Sequence, residues 1–414
     1  MSGPLSGLVV LDLSRALAGP HAAMMLGDMG ARVIKVEHPD GGDDTRGWGP
    51  PFVGPADARE STYFLSCNRN KESVVLDLKS AQGRHTLARL VERSDVLVEN
   101  FRTGVLDRLG FPAEELHRLN PRLVLLSITG FGHDGPQGGR PGYDQIAQGE
   151  AGLMSLTGPD PDSPTRIGVP IGDLLAGMYG AYGVVAALHE RARTGRGRVV
   201  RTSLLAALVG VHAFQGTNYT VAGRVGRAQG NLHPSLQPYG SYRCRDAIVQ
   251  VAVGSEGLWA RFAPLVGLAV DDPRFAVNAD RVVNAEELAT VINAAFADRG
   301  VAELLAELCS AGIPAGEVRT LDRVYDWAQT RSQGLVVEVD HTTLGTVELP
   351  GPAVRFDGDP PQRHAAPPVL GEHTRAVLGW LDGLDGAGGL GGHDGLAGDP
   401  PGAPADGRPY TSHL

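Results

Sequence analysis

The sequence predicts an α/β fold with a parallel sheet, and two observations predict it. Short β-branched apolar runs alternate with helical stretches from residue 8 onward, the pattern of consecutive βαβ units. The chain has 414 residues, 42% of them hydrophobic and 20% charged, enough for a large core and about two or three domains. Strands are expected over 8–13, 32–36, 74–78, 95–98 and 123–128, with helices over 20–29, 81–93 and 113–119 bounded by polar residues or Gly. A long apolar helix over 173–191 carries small residues at 176, 177, 180, 181 and 183, which permit close packing at the centre of the molecule. The polar segment 212–240, rich in Gly, Asn, Gln and Arg, marks a linker to a second compact unit over 241–330. That unit holds a strand over 247–253 and helices over 286–299 and 301–309, and a strand pair over 335–339 and 346–349 follows it. Residues 381–414 contain 10 Gly and 4 Pro with few branched apolar side chains, so a disordered tail is expected there.

Composition narrows the function. With 47 acidic against 37 basic side chains the net charge is −10, which argues against a nucleic-acid-coating protein. Cys67, Cys244 and Cys309 are too few and too scattered for a disulfide framework or a Cys-based zinc site, so a reducing cytoplasm is expected. The N-terminus lacks the basic, apolar and small-residue pattern of a signal peptide. The longest apolar stretches, 178–188 and 204–211, fall short of the roughly 18 to 20 residues of a membrane helix, so no membrane association is expected.

A strand, a turn and a helix near the N-terminus imitate a dinucleotide fold, but the turn after Asp12 reads Leu-Ser-Arg-Ala-Leu-Ala-Gly-Pro. Its single Gly19 stands where a pyrophosphate-binding turn needs three glycines, which argues against NAD binding. Asp173 stands out between Gly172 and the long apolar helix. On local sequence it reads first as an N-cap, and it could also be a partly desolvated carboxylate, a usable nucleophile toward an activated acyl group.

Further motifs stand in order along the chain: Asp12-Leu-Ser-Arg-Ala-Leu-Ala-Gly-Pro, Leu26-Gly-Asp-Met-Gly-Ala-Arg-Val-Ile-Lys-Val-Glu-His-Pro, Asn68-Arg-Asn-Lys, Leu76-Asp-Leu-Lys, Val98-Glu-Asn-Phe, Arg108-Leu-Gly, Ile171-Gly-Asp and Thr194-Gly-Arg-Gly. Together they resemble the class III CoA-transferase family (CaiB/BaiF), whose members include transferases and α-methylacyl-CoA racemases. The resemblance implies a Rossmann-like large domain built from both chain ends, 1–211 and 331–380, a smaller α/β domain over 241–330, and an interlocked homodimer. It implies CoA transfer from an acyl-CoA to a carboxylic acid, with a CoA thioester as substrate and no metal or permanently bound cofactor. The aspartate matching Asp173 attacks the acyl carbonyl to form a mixed anhydride and release the thiolate. An acceptor carboxylate then takes the acyl group, and the thiolate attacks the new anhydride.

Positions matching the family's CoA contacts are Leu17, Ala18, His38, Leu76, Asp77, Leu78, Lys79, Asn100, Phe101, Arg102, Arg108, Pro141, Gly142, Tyr143 and Asp144. By themselves Leu76 and Phe101 read as core, and Lys79 and Arg108 as solvated charges. His38 replaces an Arg frequent in the transferases, and Leu17 replaces the Gln of formyl-CoA transferase, which argues against formyl or oxalyl chemistry. Tyr143 stands where the racemases carry His, 30 residues before the aspartate. A tyrosine with an ordinary pKa near 10 is a poor base at neutral pH, so transfer is favoured over the alternative, racemisation or epimerisation of α-methylacyl-CoA. His133 reads as a solvent-exposed loop residue and His233 as part of a hinge or substrate loop.

Overall fold

In a computed structural model that describes residues 3–356 and 364–387, six short apolar runs pair into one parallel sheet. Along the chain come β1 (Val9–Asp12), α1 (Ala18–Asp28), β2 (Arg32–Glu37), β3 (Lys71–Val75), α2 (Ala81–Glu92), β4 (Val96–Glu99), α3 (Ala113–Leu119) and β5 (Val124–Thr129). Then follow α4 (Asp144–Glu150), α5 (Ile171–Thr194), β6 (Val199–Ser203) and α6 (Leu204–Gly210). The spatial order β3-β2-β1-β4-β5-β6 is that of a doubly wound Rossmann sheet, with its switch point between β1 and β4. Every residue of β4 is buried, as a strand covered on both faces requires.

One face of the sheet is covered by α1 and α5, the other by α2, α3 and the final helix. Small residues bring α1 and α5 together: a Cβ on Gly177 would lie 2.6 Å from the Ala18 carbonyl oxygen. With 24 residues, α5 exceeds the apolar stretch expected from sequence, and by length and composition alone it suffices to cross a membrane. Here it packs on α1, α6, β5 and β6.

Further along, α7 (Ala213–Ala222) occupies part of the segment expected as a linker. Its residues Phe214, Tyr219 and Val221 are exposed, and the apolar content that makes it helical was masked by Gln, Asn and Gly. The next unit pairs β7 (Tyr239–Arg243), β8 (Ile248–Ala252) and β9 (Ala315–Glu317) antiparallel and covers them with α8 (Ala285–Phe296) and α9 (Val301–Ser310). Its core is built around Trp259, Phe262, Phe275 and Phe296. A hairpin of β10 (Val336–His341) and β11 (Gly345–Pro350) follows.

The chain then returns to the β3 edge of the large sheet. His373 N–H donates to Ser73 O at 3.0 Å, and Thr374 Oγ1 accepts from Val75 N at 3.1 Å. The last helix, α10 (Thr374–Ala387), includes residues 381–387 of the expected disordered tail. Leu381 is fully buried beside Val377, and this anchoring extends the helix past the point where Gly becomes frequent. The rest of that tail lies outside the described residues. Strand β3 begins three residues before the expected 74, because Lys71 is charged yet buried on an ion pair with Asp12.

Candidate active site

A parallel sheet places all its carboxyl ends on one edge, and there the loops carrying the sequence candidates meet. Leu17 and Ala18 follow β1, His38 follows β2, Leu76 to Lys79 follow β3, and Asn100, Phe101 and Arg102 follow β4. At the switch point Asn100 joins two of these loops: its Oδ1 accepts from Arg15 N at 2.8 Å and its Nδ2 donates to Arg15 O at 2.7 Å. Leu17, Ala18 and Leu76 are buried, while Lys79, Arg102 and Arg108 are more open to solvent. Asp77 Oδ1 accepts from Lys79 N at 2.9 Å and so shapes its own turn. The Nδ1 of half-buried His38 accepts from Asp40 N at 3.0 Å. Pro141 and Tyr143 are exposed or nearly so, Tyr143 by 69%, and Gly142 packs against Gly130.

The turn between β1 and α1 is pinned by buried charge rather than by glycines. Lys71 Nζ donates to Asp12 Oδ2 at 2.9 Å, to Pro20 O at 2.8 Å and to Asn68 Oδ1 at 2.9 Å. Lys35 Nζ pairs with Asp43 at 2.8 Å and donates to Ser14 O at 2.9 Å. Burial opposes ionisation of Asp43, but Lys35 holds its carboxyl down at about 2. In turn Asp43 Oδ1 accepts from Ala16 N at 3.2 Å, which steadies Ala16 in a left-handed conformation with φ of 64°. Gly19 is needed here for close approach, since a Cβ would lie 2.3 Å from the Ser14 Cβ. Sequence reasoning missed this network; its visible signal was two lysines, Lys35 and Lys71, inside strand-like runs.

Asp173 is the third residue of α5 and not its cap. The N-cap residue is Pro170, and the capping acceptor comes from outside the helix: Asp144 Oδ1 accepts from Gly172 N at 2.7 Å and from Asp173 N at 3.4 Å. Asp144 is held by Gln148 Nε2 at 2.6 Å, and Gln148 Oε1 accepts from Ile167 N at 2.9 Å. Gln148 is fully buried, and its spacing of four residues from Asp144 on α4 was the available signal for it. Burial, then the neighbouring Asp144 charge, pushes the Asp173 carboxyl up to about 7. Tyr63, another residue missed from sequence, faces the same site. Its hydroxyl is raised to about 12 by burial and then by the Asp173 charge.

Leu174 and Tyr63 pack on Leu17, and these three with Pro170 line one end of a cavity of about 1390 Å³. Residues of β10 and residues 350–356 line it as well. No group of metal-ligating side chains is present among the described residues. His133 departs from expectation: it is half-buried and its Nε2 lies 2.7 Å from Ser127 Oγ, because the loop after β5 folds back over the sheet edge. His233 stacks between Phe214 and Tyr239, with ring centroids at 5.7 and 5.1 Å.

The architecture is a Rossmann-ordered parallel sheet with the Asp144–Asp173 pair at the start of α5. The family model described as CoA-transferase family III matches residues 5–374, and the chain belongs to that family. It is 40% identical over 377 residues to the succinyl-CoA:glutarate CoA-transferase of Mus musculus, covering 91% of this chain and 86% of the mouse protein. It is 39% identical over 390 residues to the succinate–glutarate CoA-transferase of Agrobacterium fabrum, covering 92% and 96%. A crystal structure of a CaiB/BaiF family protein from Brucella suis superposes with a TM-score of 0.84 at 38% identity, covering 92% of this chain and 100% of that one. The resemblance in the sequence motifs and the activity class it implied, CoA transfer, are thereby borne out.

Proposed function

We propose that the chain moves CoA from an acyl-CoA donor to a carboxylic acid through a mixed anhydride on Asp173. The observation that carries this reading is the Asp173 carboxyl itself, half-buried, raised to about 7 and set against the Asp144 charge. An Asp173 oxygen attacks the thioester carbonyl, the C–S bond breaks and CoA leaves as the thiolate. Acylation converts the carboxylate to a neutral anhydride, which relieves both its desolvation and its repulsion from Asp144. The acceptor carboxylate attacks the acyl carbonyl of this anhydride, the bond to Asp173 breaks and its carboxylate is restored. The CoA thiolate then attacks the acceptor carbonyl of the donor–acceptor anhydride, forming the product thioester and releasing the donor acid as its carboxylate.

The loops at the sheet edge, from Leu17 and Ala18 to Pro141 through Asp144, are the proposed cradle for CoA. Succinyl-CoA with glutarate is the first substrate pair, in keeping with the mouse and Agrobacterium relatives named for it. An interlocked homodimer in a reducing cytoplasm completes the proposal. The exposed apolar residues Met178, Tyr179 and Tyr182 on α5, with Phe214 and Tyr219 on α7, support a partner subunit there.

The test is a trap for the anhydride. Wild type and Asp173→Asn are incubated with succinyl-CoA and other acyl-CoA donors plus hydroxylamine, and peptides are weighed by mass spectrometry. Hydroxamate at residue 173 in the wild type alone is expected. Exchange of the α-proton of a 2-methylacyl-CoA with no trapped adduct overturns transfer in favour of racemisation.

A further inference from the structure

Beyond the nucleophile, the sheet edge holds a buried acid with no part in acyl transfer. Glu99 ends β4 and is only 6% exposed. It stands in register with Ser127 on β5, which stands in register with Arg201 on β6. Ser127 Oγ donates to Glu99 Oε1, and His133 Nε2 lies 2.7 Å from the same hydroxyl. The other Glu99 oxygen, Oε2, accepts from Phe101 N at 2.8 Å. Since the single Ser127 proton points to Glu99, His133 must donate from Nε2, which fixes its tautomer. The three residues line a cavity of about 180 Å³ with Phe101, Arg102 and Arg201.

These hydrogen bonds connect two loops. Through Phe101 they hold the loop after β4, which carries Asn100 and Arg102; through His133 they hold the loop after β5, which leads to Tyr143 and Asp144. We propose that Glu99, Ser127 and His133 are positioning residues that clamp these loops at the spacing that receives the CoA moiety. The proposal rests on the reading of this edge as the CoA cradle. Burial raises the Glu99 carboxyl, so the clamp stands on the donors from Ser127 and Phe101 that face it, with Asp107 opposing. Burial, then Arg201, lowers His133 and keeps it the neutral donor, with Asp134 acting in the other direction.

The clamp predicts a split between binding and chemistry. In Ser127→Ala the Kd for free CoA by calorimetry and the KM for the acyl-CoA rise by about tenfold, as for loss of charge-assisted hydrogen bonds. The KM for the acceptor acid and kcat stay within about twofold. His133→Gln in the otherwise wild-type chain, which keeps an N–H donor toward Ser127, retains wild-type affinity. If Ser127→Ala does not fold, Glu99→Gln carries the test, because its single amide oxygen cannot accept from both Ser127 Oγ and Phe101 N. Unchanged CoA affinity in a folded variant, or a fall in kcat with KM unmoved, overturns the clamp alone. A wild type that binds no CoA and traps no hydroxamate overturns the clamp together with the reading beneath it.

Discussion

Replacing Asp173 by Asn should make the protein more stable, and the size of the gain follows from the site. The Asp173 carboxyl stands at about 7 instead of 3.8, through burial first and Asp144 second. Each tenfold change in proton affinity is worth about 1.4 kcal/mol, which sets a ceiling of about 4 kcal/mol. Partial exposure of Asp173 to water screens this to about 2 kcal/mol at the lower end. The sign is fixed by proton uptake. Between pH 4 and 7 the folded chain keeps the Asp173 proton that the unfolded chain has released, so wild-type stability falls as pH rises through this window. The Asn side chain is neutral throughout and escapes that loss. The assay is thermal unfolding of both proteins from pH 4 to 8. Near pH 4 the midpoints coincide, and above pH 7 the variant melts about 3 to 5 °C higher. A difference that does not change with pH, or a variant less stable than wild type at pH 8, refutes the account of a desolvated, repelled carboxylate.

Two further changes probe the surroundings of the same group. Asp144→Asn removes the neighbouring charge while keeping an acceptor for Gly172 N–H, so the acid limb of kcat/KM for the acyl-CoA moves down by about one pH unit; a limb that stays or moves up contradicts the coupling. Gly177→Ala drives a methyl group to 2.6 Å from the Ala18 carbonyl, and chemical denaturation should register a loss of about 1–3 kcal/mol from parting α1 and α5, whereas an unchanged midpoint denies that packing.

How much of this was legible in the sequence depended on whether a position is governed by its neighbours in the chain. The strands β1, β2, β4 and β5 were visible because β-branched runs announce strands buried on both faces. The start of β3 was hidden because Lys71 is a charge that the distant Asp12 and Pro20, with Asn68, make tolerable inside the sheet. The motifs located the candidate loops at the sheet edge, but not Tyr63 or Gln148, whose roles arise from contacts with Leu17 and Asp144. For His133 a Gly-rich loop suggested exposure, and the hydrogen bond to Ser127 is a contact that loop composition does not encode.

At Asp173 the structure removes the N-cap reading that the sequence left open. A helix start offers unpaired backbone N–H groups that would stabilise an anion and lower its pKa. Were Asp173 the cap, those donors would make it an ordinary, weakly basic carboxylate. Instead Asp144, arriving from α4, accepts from both Gly172 N–H and Asp173 N–H. Asp173 is thereby deprived of the donors at its own helix end and set against the charge that took them, and burial does the rest. Asp144 thus takes up the donors of the helix end, and the Asp173 carboxyl beside it is left with neither those donors nor full hydration, which raises its affinity for a proton.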